Sequence, residues 1–196
     1  MPDGVDARKR MIRADLRERR NAIGETERER LTAGLTEQLI QLVTDRHAQS
    51  ISCFLSTPSE PNVRPFVNWA EAAGVRVLFP ITRDDGLLDW TVGEHSTEAP
   101  GLFGMPEPSG ELLGPIAVGD VDLMIIPAAA VDERGMRLGW GRGYFDKTLG
   151  SMQQRPPVFA VVFDHELLPE VPSELHDQSV DGVVTPHGIT EFSRRD

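Results

Sequence analysis

Val121-Asp122-Leu123-Met124-Ile125-Ile126-Pro127 is the stretch on which the fold turns: from Leu123 onward no position is polar. A strand with one wet face alternates apolar and polar residues. A run without alternation needs both faces covered, as helices cover a parallel sheet. Pro157 to Phe163 (PVFAVVF) has the same character. Shorter β-leaning runs at Ile51 to Leu55, Val75 to Pro80, Leu87 to Val92 and Asp181 to Thr185 supply further strands. Helical segments alternate with them. One covers residues 62–73, with Pro65 near its first turn and Gly74 at its end, and another runs from Tyr144 to Met152. Asp84-Asp85-Gly86 marks a turn. The alternation predicts the α/β class, with three layers (α/β/α) and a mostly parallel sheet.

Two N-terminal helices precede the first strand. The first spans about Ala7 to Ile23, with Ile12, Leu16 and Ile23 on one face and Lys9, Arg13, Arg17 and Arg20 on another. In the second, Thr26 and Glu29 form a capping-box pattern, and Leu31, Leu35, Leu39, Leu42 and Val43 make the apolar stripe. Residues 93–119 hold ten glycines and prolines and read as a long loop, a length usually kept for function. The chain reads as a single domain over 1–196, with the charged residues 191–196 as a flexible tail.

A chain of 196 residues can bury a sizeable core without staples. Its 39% hydrophobic and 26% charged residues are those of an ordinary soluble globular protein. Cys53 is the one cysteine, so no intramolecular disulfide forms; it reads as a small buried hydrophobe in a reducing compartment. The first ten residues carry charges and no apolar signal core, and no apolar run approaches the ~18 residues of a membrane span. The expectation is a cytoplasmic protein with no membrane partner. A net charge of −11 repels a phosphate backbone and argues against nucleic acid as a partner. Residues 8–20 nevertheless gather seven of the twenty basic side chains. An acidic protein that concentrates positive charge in one place can receive an anion there.

The stretch Arg137-Leu138-Gly139-Trp140-Gly141-Arg142-Gly143-Tyr144-Phe145-Asp146-Lys147 follows the buried strand and leads into a helix. Glycines at alternate positions let backbone N–H groups approach an anion, and the helix N-terminus adds a favourable dipole. The dinucleotide pattern GxGxxG is not met, because Tyr144 stands where the third glycine belongs. Walker A is missed by one residue: Gly141 to Thr148 reads GRGYFDKT, with Asp146 in place of the second glycine. A carboxylate beside phosphates repels them unless a cation intervenes, so Asp146 suggests magnesium. Glycine content alone leaves a tight connection and a phosphate cradle equally open. Arg137, Arg142 and Lys147 tilt the balance, since three cations around the loop can neutralise a triphosphate.

The residues from Val121 to Pro127, then Ala130-Val131-Asp132, Gly135 to Gly139 and Gly141 to Asp146, resemble the signature region of the 5-formyltetrahydrofolate cyclo-ligase family, also called methenyltetrahydrofolate synthetases. Other landmarks fall in the family's order: Lys9 with Arg13, Glu60, Phe79-Pro80, Gly104-Met105-Pro106-Glu107-Pro108, Pro172, His176-Asp177 and Val183-Val184-Thr185.

The resemblance implies ATP as co-substrate, Mg2+ as metal and 5-formyltetrahydrofolate, with or without a polyglutamate tail, as substrate. The formyl oxygen is phosphorylated, N10 attacks the activated carbon, and phosphate leaves to give 5,10-methenyltetrahydrofolate. It implies that Lys9, Arg13, Arg137, Gly139, Trp140, Gly141, Arg142, Gly143, Tyr144 and Phe145 bind ATP. Glu60, Trp140, Gly141, Arg142, Gly143 and Tyr144 border the folate. Arg142 and Tyr144 stand as the catalytic residues, and Asp146 and Asp177 hold the metal. Trp90 and Phe103 can stack on the pterin or pack the core. Asp132 can assist the metal or organise the loop, with the structural role preferred, and His165 and His176 are structural. The expected enzyme is a monomer. The alternative is a catalytically weak protein that sequesters 5-formyltetrahydrofolate.

Overall fold

The structure is a computed structural model; it describes residues 3–193, less the side chains of residues 3, 93–96 and 103. In chain order the elements are α1 (Asp3–Ala22), α2 (Glu25–Asp45), β1 (Ser50–Ser52), α3 (Arg64–Ala72), β2 (Arg76–Thr82), β3 (Leu88–Pro100), β4 (Pro106–Leu113), β5 (Leu123–Pro127), β6 (Ala130–Asp132), β7 (Arg137–Leu138), α4 (Tyr144–Ser151), β8 (Val158–Val161), β9 (Leu167–Leu168), β10 (Gly182–Thr185) and β11 (Gly188–Glu191). The main sheet has the order β11-β10-β8-β5-β1-β2-β3-β4. Its five central strands are parallel, and β11, β3 and β4 join antiparallel at the two edges. The quoted apolar run is therefore a central strand.

Alternate side chains of that run go to opposite faces. Leu123 and Ile125 join Ile51, Val77, Phe79, Phe159 and Val161 under α2 and α3. Met124 and Ile126 join Leu78, Val158, Ala160 and Val183 on the other face, where Leu149 of α4 covers them. This gives the three layers. Helix α2 buries Leu31, Leu35, Leu39, Leu42 and Val43, as its stripe predicts. The capping box at Thr26 and Glu29 does not form: Gly24 is the N-cap, with no side-chain hydrogen bond. A missing cap costs about 1 kcal/mol, whereas each buried Leu or Val contributes about 1.5–3 kcal/mol. Packing thus fixes the helix without the cap.

Three further segments differ from expectation. Residues 93–119 are largely a β-arm: β3 continues to Pro100 and pairs antiparallel with β4, with a register shift between Glu94 and Glu98. Glycine and proline content hid strands whose ladder is satisfied by each other. A second sheet, β7-β6-β9, packs against α1 through Leu16, Ala129, Ala130, Leu138 and Val171. So α1 lies on this small sheet and not on the main one. The chain end is ordered past the expected start of the tail. Glu191 closes β11 and the Phe192 N–H donates to the Asp181 carbonyl, while residues 194–196 lie outside the described residues.

Strand β1 is followed by β2 on one side, and β5, on its other side, is followed by β8 further out. The connections therefore diverge between β1 and β5. A crevice opens at the carboxyl ends of the strands at such a point, and Phe54, Leu55, Pro80 and Pro127 line one here.

Candidate active site

The glycine loop does not follow β5 directly. A hairpin of β6 and β7 intervenes, pairing Ala130 with Leu138 and Val131 with Arg137. Buried Asp132 organises its turn, as expected: Oδ1 accepts the Arg134 and Met136 N–H groups at 2.8 and 2.9 Å, and Oδ2 accepts the Val171 N–H at 3.1 Å. The hairpin carries Arg137 inward and delivers the chain to Gly139. Gly141 and Gly143 then take φ of 96° and 71°, left-handed values that favour glycine. Gly143 is the N-cap of α4, with Asp146 in the first turn.

On one side of the loop lies a cavity of about 620 Å³ lined by charged groups from α1, the loop and the 174–178 segment. Buried Lys9 donates to Asp177 Oδ2 at 2.6 Å and Glu174 Oε2 at 2.9 Å. Burial alone lowers its pKa, but the hydrogen bonds and charges of Asp177 and Glu174 outweigh that and hold it above the ordinary lysine value. Burial likewise pushes the Asp177 pKa up, and the bonds from Lys9 and the Glu174 N–H outweigh it, leaving a carboxylate below its usual range. Both groups stay charged at neutral pH. Arg13 Nε donates to the Gly139 carbonyl at 2.7 Å, so the first helix does reach the loop.

Arg137 lies beneath the loop and is almost wholly buried. Its Nη2 donates to Asp146 Oδ1 at 2.5 Å, while Nε and Nη1 have no hydrogen-bond partner among the described residues. Desolvation lowers its pKa, but a guanidinium stays protonated. Two buried donors without partners are costly, which points to an anion that completes them.

On the other side lies a cavity of about 320 Å³ with a mostly apolar wall. Leu55, Pro80, Leu88, Trp140, Tyr144 and Phe145 contribute to that wall, with Met105 and Pro106 of the arm over it. Glu60 is buried there, with Oε2 accepting the Thr57 N–H and hydroxyl at 2.8 and 2.9 Å; burial raises its pKa. A second carboxylate, Glu107, accepts the Thr82 N–H at 2.8 Å. Arg142 is exposed at this cavity, and the Tyr144 hydroxyl donates to the Arg83 carbonyl at 3.1 Å. Lys147 is exposed beside the charged cavity. Trp90 packs in the core and lines neither cavity, and the Phe103 side chain lies outside the described residues.

The structure thus gathers Lys9, Arg13, Glu60, residues 137–146 and Asp177 around one loop. Sequence reasoning missed Glu174 and Gln178, which complete the charged side; the Gln178 N–H donates to Asp146 Oδ1 at 3.1 Å. Glu174 falls three residues before Asp177, a spacing that signals a turn and carries no chemistry by itself. His176 is exposed, and His165 stacks on Phe163 at 5.9 Å. Cys53 is buried and its thiol pKa is pushed up to about 12, so it is an inert hydrophobe. A larger depression, about 1110 Å³, along Glu133, Arg134, Leu168 and Phe192 is lined by Asp132 and by none of the residues expected to bind ATP, folate or metal. Among the described residues no helix is long and apolar enough to cross a membrane.

Fold and site together define an α/β enzyme that sets a glycine loop between a charged cavity and an apolar one. The profile of the 5-formyltetrahydrofolate cyclo-ligase family matches residues 5–186, and the chain belongs to that family. A 5-formyltetrahydrofolate cyclo-ligase of Mycolicibacterium smegmatis is 33% identical over 183 residues, covering 91% of this chain and 93% of the relative. One from Mus musculus is 28% identical, covering 92% and 94%. The solved structure of Aquifex aeolicus 5,10-methenyltetrahydrofolate synthetase shares the fold, with a TM-score of 0.77 at 23% identity over 96% of this chain and 94% of that one.

Proposed function

We propose that this enzyme closes 5-formyltetrahydrofolate to 5,10-methenyltetrahydrofolate at the expense of ATP, with Mg2+. The observation that carries the reading is a shared wall: Arg137, Gly139, Gly143 and Asp146 line both cavities. Ligands held on either side of that wall can exchange a phosphoryl group without leaving their sites. The formyl oxygen attacks the γ-phosphorus and the bond to ADP breaks. N10 then attacks the formyl carbon and gives up its proton, and the C–O bond breaks with phosphate as leaving group. No protein nucleophile is needed. The protein's work is positioning and charge neutralisation.

The charged cavity suits the nucleotide, with Lys9, Arg13 and Arg137 as cations and the loop N–H groups on the phosphates. The donor set also fits magnesium. Asp146 Oδ1 is engaged by Arg137 and Gln178, which leaves Oδ2 without a donor among the described residues. Asp177 Oδ2 is engaged by Lys9 and the Glu174 N–H, which leaves Oδ1, among the described residues, with His176 at 3.8 Å. Magnesium takes one or two carboxylates and completes its shell with phosphate oxygens and water. Asp146 and Asp177 would hold the ion, which would neutralise charge on the transferred phosphoryl group.

The apolar cavity suits the pterin, with Glu60 on its N–H-rich edge and Trp140 and Tyr144 as walls. Because the Tyr144 hydroxyl is engaged by Arg83, we assign Tyr144 a ring contact, and Arg142 the charge at the transferred group. The enzyme is read as a cytoplasmic monomer.

The test mixes protein, Mg2+, ATP and 5-formyltetrahydrofolate and follows the near-ultraviolet methenyl chromophore. No ATP-dependent rise would overturn the reading, and tight folate binding without turnover would favour the sequestering alternative. Lys9→Ala is expected to raise the KM for ATP about 10–100-fold, the worth of one charge-assisted hydrogen bond. An unchanged KM would leave Lys9 as a clasp on Asp177.

Glu60→Gln is expected to raise the folate KM by about tenfold or more, through loss of a charged acceptor. It should also make the protein more stable at neutral pH. The raised folded-state pKa of Glu60 means that its contribution to stability is full below the ordinary carboxylate value, about 4.3. That contribution is lost as pH rises through the folded-state value. Melting temperatures at neutral and acid pH check the sign: equal stability of the two proteins at neutral pH would show that Glu60 is not strained by burial.

A further inference from the structure

The basic stripe of α1 does not stop at the nucleotide side. Beyond Lys9 and Arg13 it continues to Arg17 and Arg20, and Arg20 is 1% exposed. Its Nε and Nη2 donate to Glu166 Oε1 and Oε2 at 2.6 and 2.8 Å, and Nη2 also donates to the Ala128 carbonyl at 2.9 Å. Glu166 is 0% exposed and accepts the Phe163 N–H at 2.8 Å as well. The pair thus joins α1 to the chain leaving β5 and to the chain leaving β8, beneath the loop.

Such a pair is a weak device for stability alone, because desolvating both ions offsets their attraction and apolar replacements are often as stable. What it does supply is a fixed planar cation. The Arg20 guanidinium carbon lies 4.8 Å from the centre of the Trp140 ring, while Arg17 lies 5.6 Å from that centre. Cation–π contact of this kind is directional and strengthens when desolvated. Among the described residues the buried Trp140 Nε1 has no hydrogen-bond partner, so the ring plane is set by these cations and by packing on the cluster around Leu16 and Leu138. The same indole lines the apolar cavity, and the Arg20 charge acts against burial on the carboxyl of Glu60.

We infer that Arg20, held by Glu166, is a positioning residue for the folate half of the reaction: it is the platform that fixes the Trp140 indole as a wall of the folate cavity. The inference rests on the folate reading of that cavity. It assigns the basic stripe two tasks, the nucleotide at Lys9 and Arg13 and the folate wall at Arg20.

The test compares Arg20→Lys, which keeps charge but loses the fork and the flat face, with Glu166→Asp, which keeps the pair but draws it back by one methylene. The KM for 5-formyltetrahydrofolate is expected to rise at least ~10-fold in the first and less in the second, with the KM for ATP unchanged. A merely structural role would move both constants and the melting temperature together. A second readout needs no turnover. The emission component removed by Trp140→Phe should become more accessible to acrylamide in Arg20→Lys without any ligand. If Arg20→Lys does not fold, Glu166→Asp carries both measurements. A folate KM at the wild-type value, a parallel rise in both constants, or unchanged quenching of the Trp140 component overturns the proposal. Failure of the function reading is seen separately, as absence of turnover in the unmodified protein.

Discussion

Asp146→Asn is expected to cut turnover roughly 10³-fold while 5-formyltetrahydrofolate binding stays within about threefold. A metal that neutralises a transferring phosphoryl group contributes several kcal/mol, and about 4 kcal/mol is a factor of 10³. The amide keeps an oxygen that can accept from Arg137 and Gln178, the two donors now on Oδ1. It removes the charge that, on the proposed reading, would hold the ion. Asp146→Ala is the less informative variant. It strands the buried Arg137 guanidinium, whose Nε and Nη1 already have no partner among the described residues, and breaking a buried pair costs about 3–5 kcal/mol. Its loss of activity would mix catalysis with unfolding. Steady-state turnover against Mg2+ at saturating ATP, with folate affinity by fluorescence, separates the two. Unchanged turnover with an unchanged Mg2+ requirement would remove Asp146 from the metal site.

Much of this was legible in the chain, and the reason differs from element to element. The central strands declare themselves because burial on both faces leaves no polar position between Leu123 and Ile126. Helix α2 declares itself through a buried five-residue stripe, of which Leu35, Leu39, Leu42 and Val43 join the core on one sheet face. The β3–β4 arm was hidden because its strands satisfy each other and carry Gly93, Gly110, Pro106 and Pro108, residues that local propensity assigns to loops. The small sheet was hidden because β7 has two residues and β9 two, too few for any periodicity. At the site, the loop glycines and Asp146 stood together in sequence. The approach of Lys9 to Asp177, 168 positions away, required the resemblance to be anticipated. Nothing local distinguishes Arg20 from Arg19. One is sealed under Trp140 and the other is paired with Asp15 on the surface, and only the tertiary fold decides which.

Arg137→Lys is expected to lower kcat/KM for ATP by about 10²–10³-fold, the loss seen when a preorganised donor to a developing anion is removed. The substitution keeps a positive group of similar length, so a purely electrostatic view predicts little effect. Three features of the site argue otherwise. Arg137 offers donors in a planar fork: Nη2 is on Asp146, and Nε and Nη1 have no partner among the described residues; an ammonium cannot hold both directions at once. The position is almost wholly buried, and desolvation is the largest influence on the group. A guanidinium tolerates that burial and stays charged, whereas a buried lysine has its pKa lowered and gives up its proton. The variant should therefore acquire a pH dependence of its own. Its residual activity, corrected for the wild-type profile, should rise as pH falls through the lysine's lowered pKa, because the charged form returns on the acid side. Folate affinity should fall less, since only part of Arg137 borders that cavity. An Arg137→Lys enzyme with wild-type kcat/KM for ATP at every pH would reduce Arg137 to the counter-ion of Asp146, and the shared wall between the cavities would lose its central cation.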